Sequence, residues 1–145
     1  MSHTLRAATA ADRDWLWTLS RATMKTHVEQ TWGRWDDVEQ AERFQKNFQP
    51  QRLQIIVVNG HDAGLLHVER TPADIFLASI LLAAEFQNRG LGTAILHSLL
   101  AEAHREKLPL RLQVLKVNPA RRLYERLGFT VTAETPTHYQ MRWTP

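Results

Sequence analysis

Apolar residues recur along this chain in two rhythms. Every third or fourth position is apolar where a helix would bury one face, and apolar residues alternate or run together where a strand would form. Thr4 to Ala7 predicts a first strand. Thr9-Ala10-Ala11-Asp12 has the spacing of a capping box opening a helix with Trp15, Leu16, Leu19 and Ala22 inward, broken around Trp32-Gly33. Asp36 or Asp37 caps a second helix whose apolar stripe is Val38, Ala41, Phe44 and Phe48, ended by Pro50. Leu53 to Val58 and Ala63 to Glu69, joined by Asn59-Gly60-His61-Asp62, predict a hairpin.

The middle of the chain carries the most information. Asp74 to Ala83 is apolar enough for a strand buried on both faces. Leu91, Ala94, Ile95, Ser98, Leu99, Glu102 and Ala103 then define an amphipathic helix to about Lys107, stopped by Pro109. Leu110 to Leu115 is the next strand, so the whole is a strand-helix-strand unit with parallel strands and a right-handed crossover. Ligands of such sheets sit at the carboxyl ends of strands.

Gln87-Asn88-Arg89-Gly90-Leu91-Gly92 occupies that place. A helix start offers unpaired N–H groups and a positive dipole end, and glycines let an anion approach the bare amides, with Arg89 adding charge. A diphosphate suits such a turn. Taken alone, the two glycines fit a tight corner equally well. The turn lacks the Gly-Lys-Ser/Thr of a P-loop and the third glycine of a dinucleotide fingerprint, which disfavours ATP and NAD.

A second segment, Val117-Asn118-Pro119-Ala120-Arg121-Arg122-Leu123-Tyr124-Glu125-Arg126-Leu127-Gly128-Phe129, predicts a short helix with Pro at its start and Gly at its end. Phe129 to Ala133 and His138 to Trp143, separated by Pro136, complete the strands. Together the two segments resemble the GNAT superfamily of acyl-CoA-dependent N-acyltransferases, whose Gln/Arg-x-x-Gly-x-Gly/Ala turn precedes an Asn…Tyr-Glu-Lys/Arg-x-Gly-Phe segment. Asn118 stands one residue closer to the tyrosine than in many members. The resemblance runs from about Leu5 to Arg142. It implies an α/β fold of order β-α-α-β-β-β-α-β-α-β-β, with a mixed sheet splayed between its fourth and fifth strands.

It also implies acetyl-CoA as acyl-donor cosubstrate. Ile80, Leu81 and Leu82 would pair with the pantetheine arm, a backbone N–H near Leu82 would polarise the thioester carbonyl, and Gln87, Asn88, Arg89, Gly90, Leu91, Gly92, Thr93, Asn118 and Tyr124 would complete the cofactor site. Tyr124 matches the position of the general acid that protonates the departing thiolate. Packing beneath the sheet is the competing role for that ring.

Acyl transfer to an amine needs a neutral nucleophile, because a free amine is mostly protonated at neutral pH. By resemblance to ribosomal-protein N-terminal acetyltransferases, the position of their catalytic glutamate holds Gln113, and an amide cannot act as base. Glu29, Glu69, His138 or a water chain are the remaining candidates. Residues 24–37 bring Trp32, Trp35, Glu29, Asp36 and Asp37 together, a mixture able to cage a cationic acceptor or merely to anchor a helical corner. Glu29, Trp32, Trp35, Gln113 and His138 are thus the acceptor-site candidates. Direct transfer is expected, since neither a cysteine nor a Ser-His-Asp pattern offers a covalent relay.

Composition narrows the classes further. The chain has 145 residues, 43% of them hydrophobic and 23% charged, as expected of one globular domain spanning residues 1–145. Without cysteine there are no disulfides and no thiolate metal sites, and the seven histidines lack zinc spacing, so no metal is expected. No signal peptide or membrane span is evident, which makes the cytoplasm the expected location. The net charge of +3 is scattered rather than clustered, which argues against nucleic acid as partner. The expected partner is a small-molecule or peptide amine, and the chain a monomer or homodimer. A catalytically silent acyl-CoA-binding module on the same fold is the alternative function.

Overall fold

Asp12 organises the first turn of the chain. In the computed structural model, which describes residues 2–145, the Thr9 backbone N–H donates to the Asp12 carboxylate at 2.8 Å and closes the predicted capping box. Arg6 of β1 (Thr4–Ala7) forks onto the same carboxylate at 2.8 and 3.0 Å, and reaches Asp62 at 3.0 Å. A short 3-10 turn, Ala10–Asp12, leads into α1 (Arg13–Trp32). Gly33 ends α1 in a left-handed conformation, φ 84°, with its N–H on the Glu29 carbonyl at 2.8 Å. Asp36, the first of the two predicted caps, accepts from the Glu39 N–H at 3.0 Å and opens α2 (Asp37–Asn47).

The remaining elements are β2 (Gln54–Val58), β3 (His61–Arg70), β4 (Ile75–Leu82), α3 (Leu91–Glu106), β5 (Leu110–Leu115), α4 (Ala120–Arg126), β6 (Thr130–Glu134) and β7 (His138–Trp143). Their order is the one expected from the sequence. The strands form a seven-stranded mixed sheet, β1-β2-β3-β4-β5-β7-β6. The chain divides into two compact units: residues up to His67 with Ser79–Leu91, and Val68–Ala78 with Gly92–Pro145.

In the first unit, β1, β2 and β3 pair antiparallel. The predicted four-residue connection of the hairpin is shorter, because Asn59 and Gly60, at φ 52° and 77°, form a two-residue turn and His61 already belongs to β3. Leu16 and Leu19 of α1 are buried with Ala8, Ile55 and Leu65, and Trp15, Phe44, Phe48 and Leu81 pack against them. Ala22 and Val38, expected inward, are exposed. A step of three residues advances a helix by about 300°, so two such steps from Leu16 to Ala22, or from Phe44 back to Val38, leave the buried face by about 120°.

In the second unit, β4 and β5 pair in parallel only at Ile75–Leu110, Phe76–Arg111 and Leu77–Leu112, while β4 runs on to Leu82 and β5 to Leu115. β5 pairs with β7 along its whole length. Arg70 grips Glu102 of α3 at 2.6 and 2.9 Å, and Arg111 grips Asp74 at 2.6 Å. On α3 Leu91, Ile95, Leu96, Leu99 and Ala103 are buried, whereas Ser98, expected on that face, is exposed. β4 is not buried on both faces as predicted: Ile75 and Leu77 are buried, Ala78 is exposed, and 79–82 are half-buried. Its second half therefore keeps surface available to a ligand.

Candidate functional site

The second half of β4 is held close to β3. Gly64 lacks the side chain that would strike the Leu81 carbonyl, and the Ala83 N–H donates to the Ala63 carbonyl at 2.8 Å. Beyond a 3-10 turn, Ala84–Phe86, the side-chain amide of Gln87 reaches back and donates to the Leu82 carbonyl at 2.9 Å. Gln87 therefore braces the turn against the strand.

Asn88 and Gly90 both lie in the left-handed region, φ 60° and 79°, on either side of Arg89. Asparagine and glycine are the residues that adopt it at least cost. Alternating handedness of this kind curls successive N–H groups toward one concavity, a shape suited to anions. A Cβ on Gly90 would meet nothing within 4 Å, so the space above the turn is open. Residues 87–90 are all exposed, and Leu91, which begins α3, is buried as the anchor of the helix start. Gly92 and Thr93 fall in the first turn of α3, where N–H groups have no partner within the helix.

In the second unit, the Asn118 side-chain oxygen accepts from the Ala120 N–H at 2.9 Å, an Asx turn that leads into α4. Tyr124 is buried, with its ring edge-on to Phe129 at 5.8 Å, and burial pushes its hydroxyl pKa up from the ordinary phenol value. The ring packs and the hydroxyl keeps its proton. Gln113 is exposed on β5 opposite Gln140, and His138, at the start of β7, shares a 2.7 Å hydrogen bond between its Nδ1 and the Thr137 hydroxyl.

The segment 24–37 does not gather its acids into one cage. Asp36 caps α2, and Asp37 is held by both arms of Arg21 at 2.8 and 3.1 Å and by the Trp35 indole N–H at 2.5 Å. These contacts, Arg21 first, lower the Asp37 pKa to about 2. Glu29 and Trp32 are exposed on the last turns of α1, and Glu69 is exposed on β3.

Trp35 turns instead to a cavity of about 580 Å³. Trp17 stacks on it at 6.1 Å and 18°, and Phe44 tilts against Trp17 at 5.7 Å. Met24 and Val28 of α1, Phe48, Leu53 and Leu65 extend the apolar wall, and Arg43, Arg52 and His67 also line it. Sequence reasoning missed this cavity, although Trp17, Ser20, Met24 and Val28 recur at helical spacing on α1. The inward face expected on that helix was Trp15, Leu16, Leu19 and Ala22, and the opposite wall of the cavity, Phe44 and Phe48, lies outside the helix.

Among the described residues no three histidine, cysteine, aspartate or glutamate side chains cluster to hold a metal ion. Among them, too, no helix is long and apolar enough to cross a membrane.

Residues 23–145 match the family model described as acetyltransferase (GNAT) domain. No curated protein matches the chain. Among solved structures, the chain resembles the PaiA N-acetyltransferase from Thermoplasma acidophilum in complex with coenzyme A, with TM-score 0.78 and 14% identity over 100% of both chains. An acetyltransferase from Thermus thermophilus gives TM-score 0.75 at 18% identity, covering 100% of this chain and 98% of the other. The ribosomal-protein-S18-alanine N-acetyltransferase from Escherichia coli gives 0.68 at 20% identity, covering 99% and 94%.

Proposed function

Because the chain belongs to the GNAT acetyltransferase family, we propose that it moves the acetyl group of acetyl-CoA directly to a primary amine of a small molecule or peptide. The observation that carries this reading is the turn at 87–92, where left-handed Asn88 and Gly90 flank Arg89 ahead of α3 and leave open space where a diphosphate would sit. The similar fold that holds coenzyme A supports it.

Acetyl-CoA would supply an acyl group already activated as a thioester. The chain's own groups do the rest. Gln87 to Thr93 would hold the diphosphate, and the half-buried strand residues Ile80, Leu81 and Leu82 would align the pantetheine arm, with a backbone N–H near Leu82 placed to stabilise negative charge on the carbonyl oxygen. The Asx turn of Asn118 leads into the helix that carries Tyr124. Tyr124, whose raised pKa keeps it protonated at neutral pH, would give its proton to the departing thiolate. Glu29, Glu69, His138 or ordered water would take the proton of the amine.

Free-thiol release from acetyl-CoA, followed across amino acids, diamines, aminoglycosides and short peptides, tests this function. Turnover with at least one amine class supports it. Tight acetyl-CoA binding with no turnover on any class would instead make the chain a catalytically silent acyl-CoA-binding module, a reading that the amide of Gln113 favours.

A further inference from the structure

The cavity lined by α1 and α2 combines apolar and cationic side chains. Trp17, Trp35, Phe44 and Leu65 line it with aromatic and branched apolar surface, and its volume of about 580 Å³ is that of a site for a small organic molecule. The charged side chains on its lining are Arg43 and Arg52, His67 of β3 also lines it, and no carboxylate joins them.

The acids beside these residues along the chain are already engaged. Glu39, one turn before Arg43, stands 3.9 Å from it and is held by Arg34 at 2.9 Å. Asp37, beside Trp35, is taken by Arg21. A cationic guest would therefore meet two guanidinium groups and no lining acid to balance its charge. An anion would meet planar guanidinium groups whose fork suits a carboxylate.

We infer that this cavity binds a molecule with an aromatic or branched apolar body and a carboxylate, the body between Trp17, Trp35 and Phe44 and the carboxylate on Arg43 and Arg52. As the amine acceptor, a role that rests on the proposed acetyl transfer, such a molecule is an amino acid or a close derivative rather than a polyamine. The cavity lies on the face of the sheet that also carries Leu81, since Leu65 of its floor belongs to the apolar cluster against which Leu81 packs. On this reading Trp35 of the segment 24–37 faces an anion-binding cavity rather than a cation cage. Asp36 and Asp37 serve the helical corner, and Arg43 and Arg52 would serve the cavity.

Trp17 and Trp35 make binding visible by fluorescence in the absence of acetyl-CoA. The probes are 3-phenylpropionate, 2-phenylethylamine, phenylalanine and spermidine. The carboxylate-bearing probes should quench the fluorescence and bind at least about tenfold more tightly than phenylethylamine, with spermidine weaker still. The double variant Arg43→Gln, Arg52→Gln alters two exposed side chains, and circular dichroism should show it folded. It should lose about tenfold in affinity for phenylpropionate. Equal or tighter binding of the amine-only probes overturns the inference, as does unchanged phenylpropionate affinity in the double variant or the absence of binding by every probe. Thiol release with phenylalanine is read separately: preference for the carboxylate without turnover leaves the cavity assignment standing and counts against acetyl transfer.

Discussion

Gly64 of β3 sits so close to Leu81 of β4 that a methyl group on its α-carbon would strike the Leu81 carbonyl oxygen. A Leu82 methyl at 3.0 Å and an Ile56 methyl at 3.2 Å close the remaining sides. Side chains can rotate away from such a contact, but a carbonyl within a strand cannot do so without moving the strand. Gly64→Ala should therefore cost about 1–3 kcal/mol by overpacking and displace the second half of β4. Thermal unfolding should show the loss, and calorimetry should show weaker acetyl-CoA binding. Wild-type stability together with wild-type affinity would mean that β3 and β4 tolerate separation here.

The start of α1 should respond to acid. Hydrogen bonds from Arg6, then the Thr9 N–H, hold the Asp12 carboxyl below its ordinary range. The folded pKa lies below the unfolded value of about 4, so the stabilisation is present above that value and is lost as pH falls through the folded one. Asp12→Asn should cost about 1 kcal/mol at pH 7, the usual scale for a helix cap. Urea unfolding should show the gap to wild type narrowing toward about pH 3, below the unfolded value. A gap of the same size at both pH values would mean that the contact is not ionic.

Much of this structure was legible in local pattern. Leu110–Leu115 and His138–Trp143 have the bounds that their alternation predicts, and α3 ends one residue short of the expected Lys107. These elements announce themselves because hydrophobic period, proline and glycine agree. The turn at 87–92 was legible for the same reason. What local pattern hides are partnerships across distance. Arg21 and Asp37 stand sixteen residues apart, and their pair removes an acid that the sequence offers to an acceptor. Trp17 and Phe44 meet only because α1 and α2 fold together, so the cavity they wall had no local signature. Local pattern hides the half-exposed end of β4 because its apolar residues resemble those of a buried strand; the splay implied by the family resemblance marks it, and the three-pair ladder with β5 shows where it begins.

Tyr124 offers a direct test of the proposed acid. Its ring packs on Phe129 while its hydroxyl, with a raised pKa, stays protonated well past neutral pH. Tyr124→Phe keeps the packing and removes the proton. Acetyl-CoA affinity should stay within about threefold of wild type and kcat should fall by roughly ten- to a thousand-fold, the range of general acid-base catalysis. Steady-state kinetics with the best acceptor measure both. Unchanged kcat would assign the proton transfer to solvent and leave Tyr124 a packing role.

In the proposed function, the turn at 87–92 and the first amides of α3 would hold the diphosphate of acetyl-CoA. Gly92, in the first turn of that helix, presents a bare backbone. Gly92→Asp adds both bulk and negative charge where the phosphates would lie. Titration calorimetry with acetyl-CoA on wild type and variant, with circular dichroism confirming that both are folded, is the most direct measurement. The wild type should bind in the micromolar range, roughly 1–100 μM, and the variant should lose at least a hundredfold in affinity, about 2.7 kcal/mol. A folded Gly92→Asp protein that binds acetyl-CoA as tightly as the wild type would contradict this placement of the diphosphate.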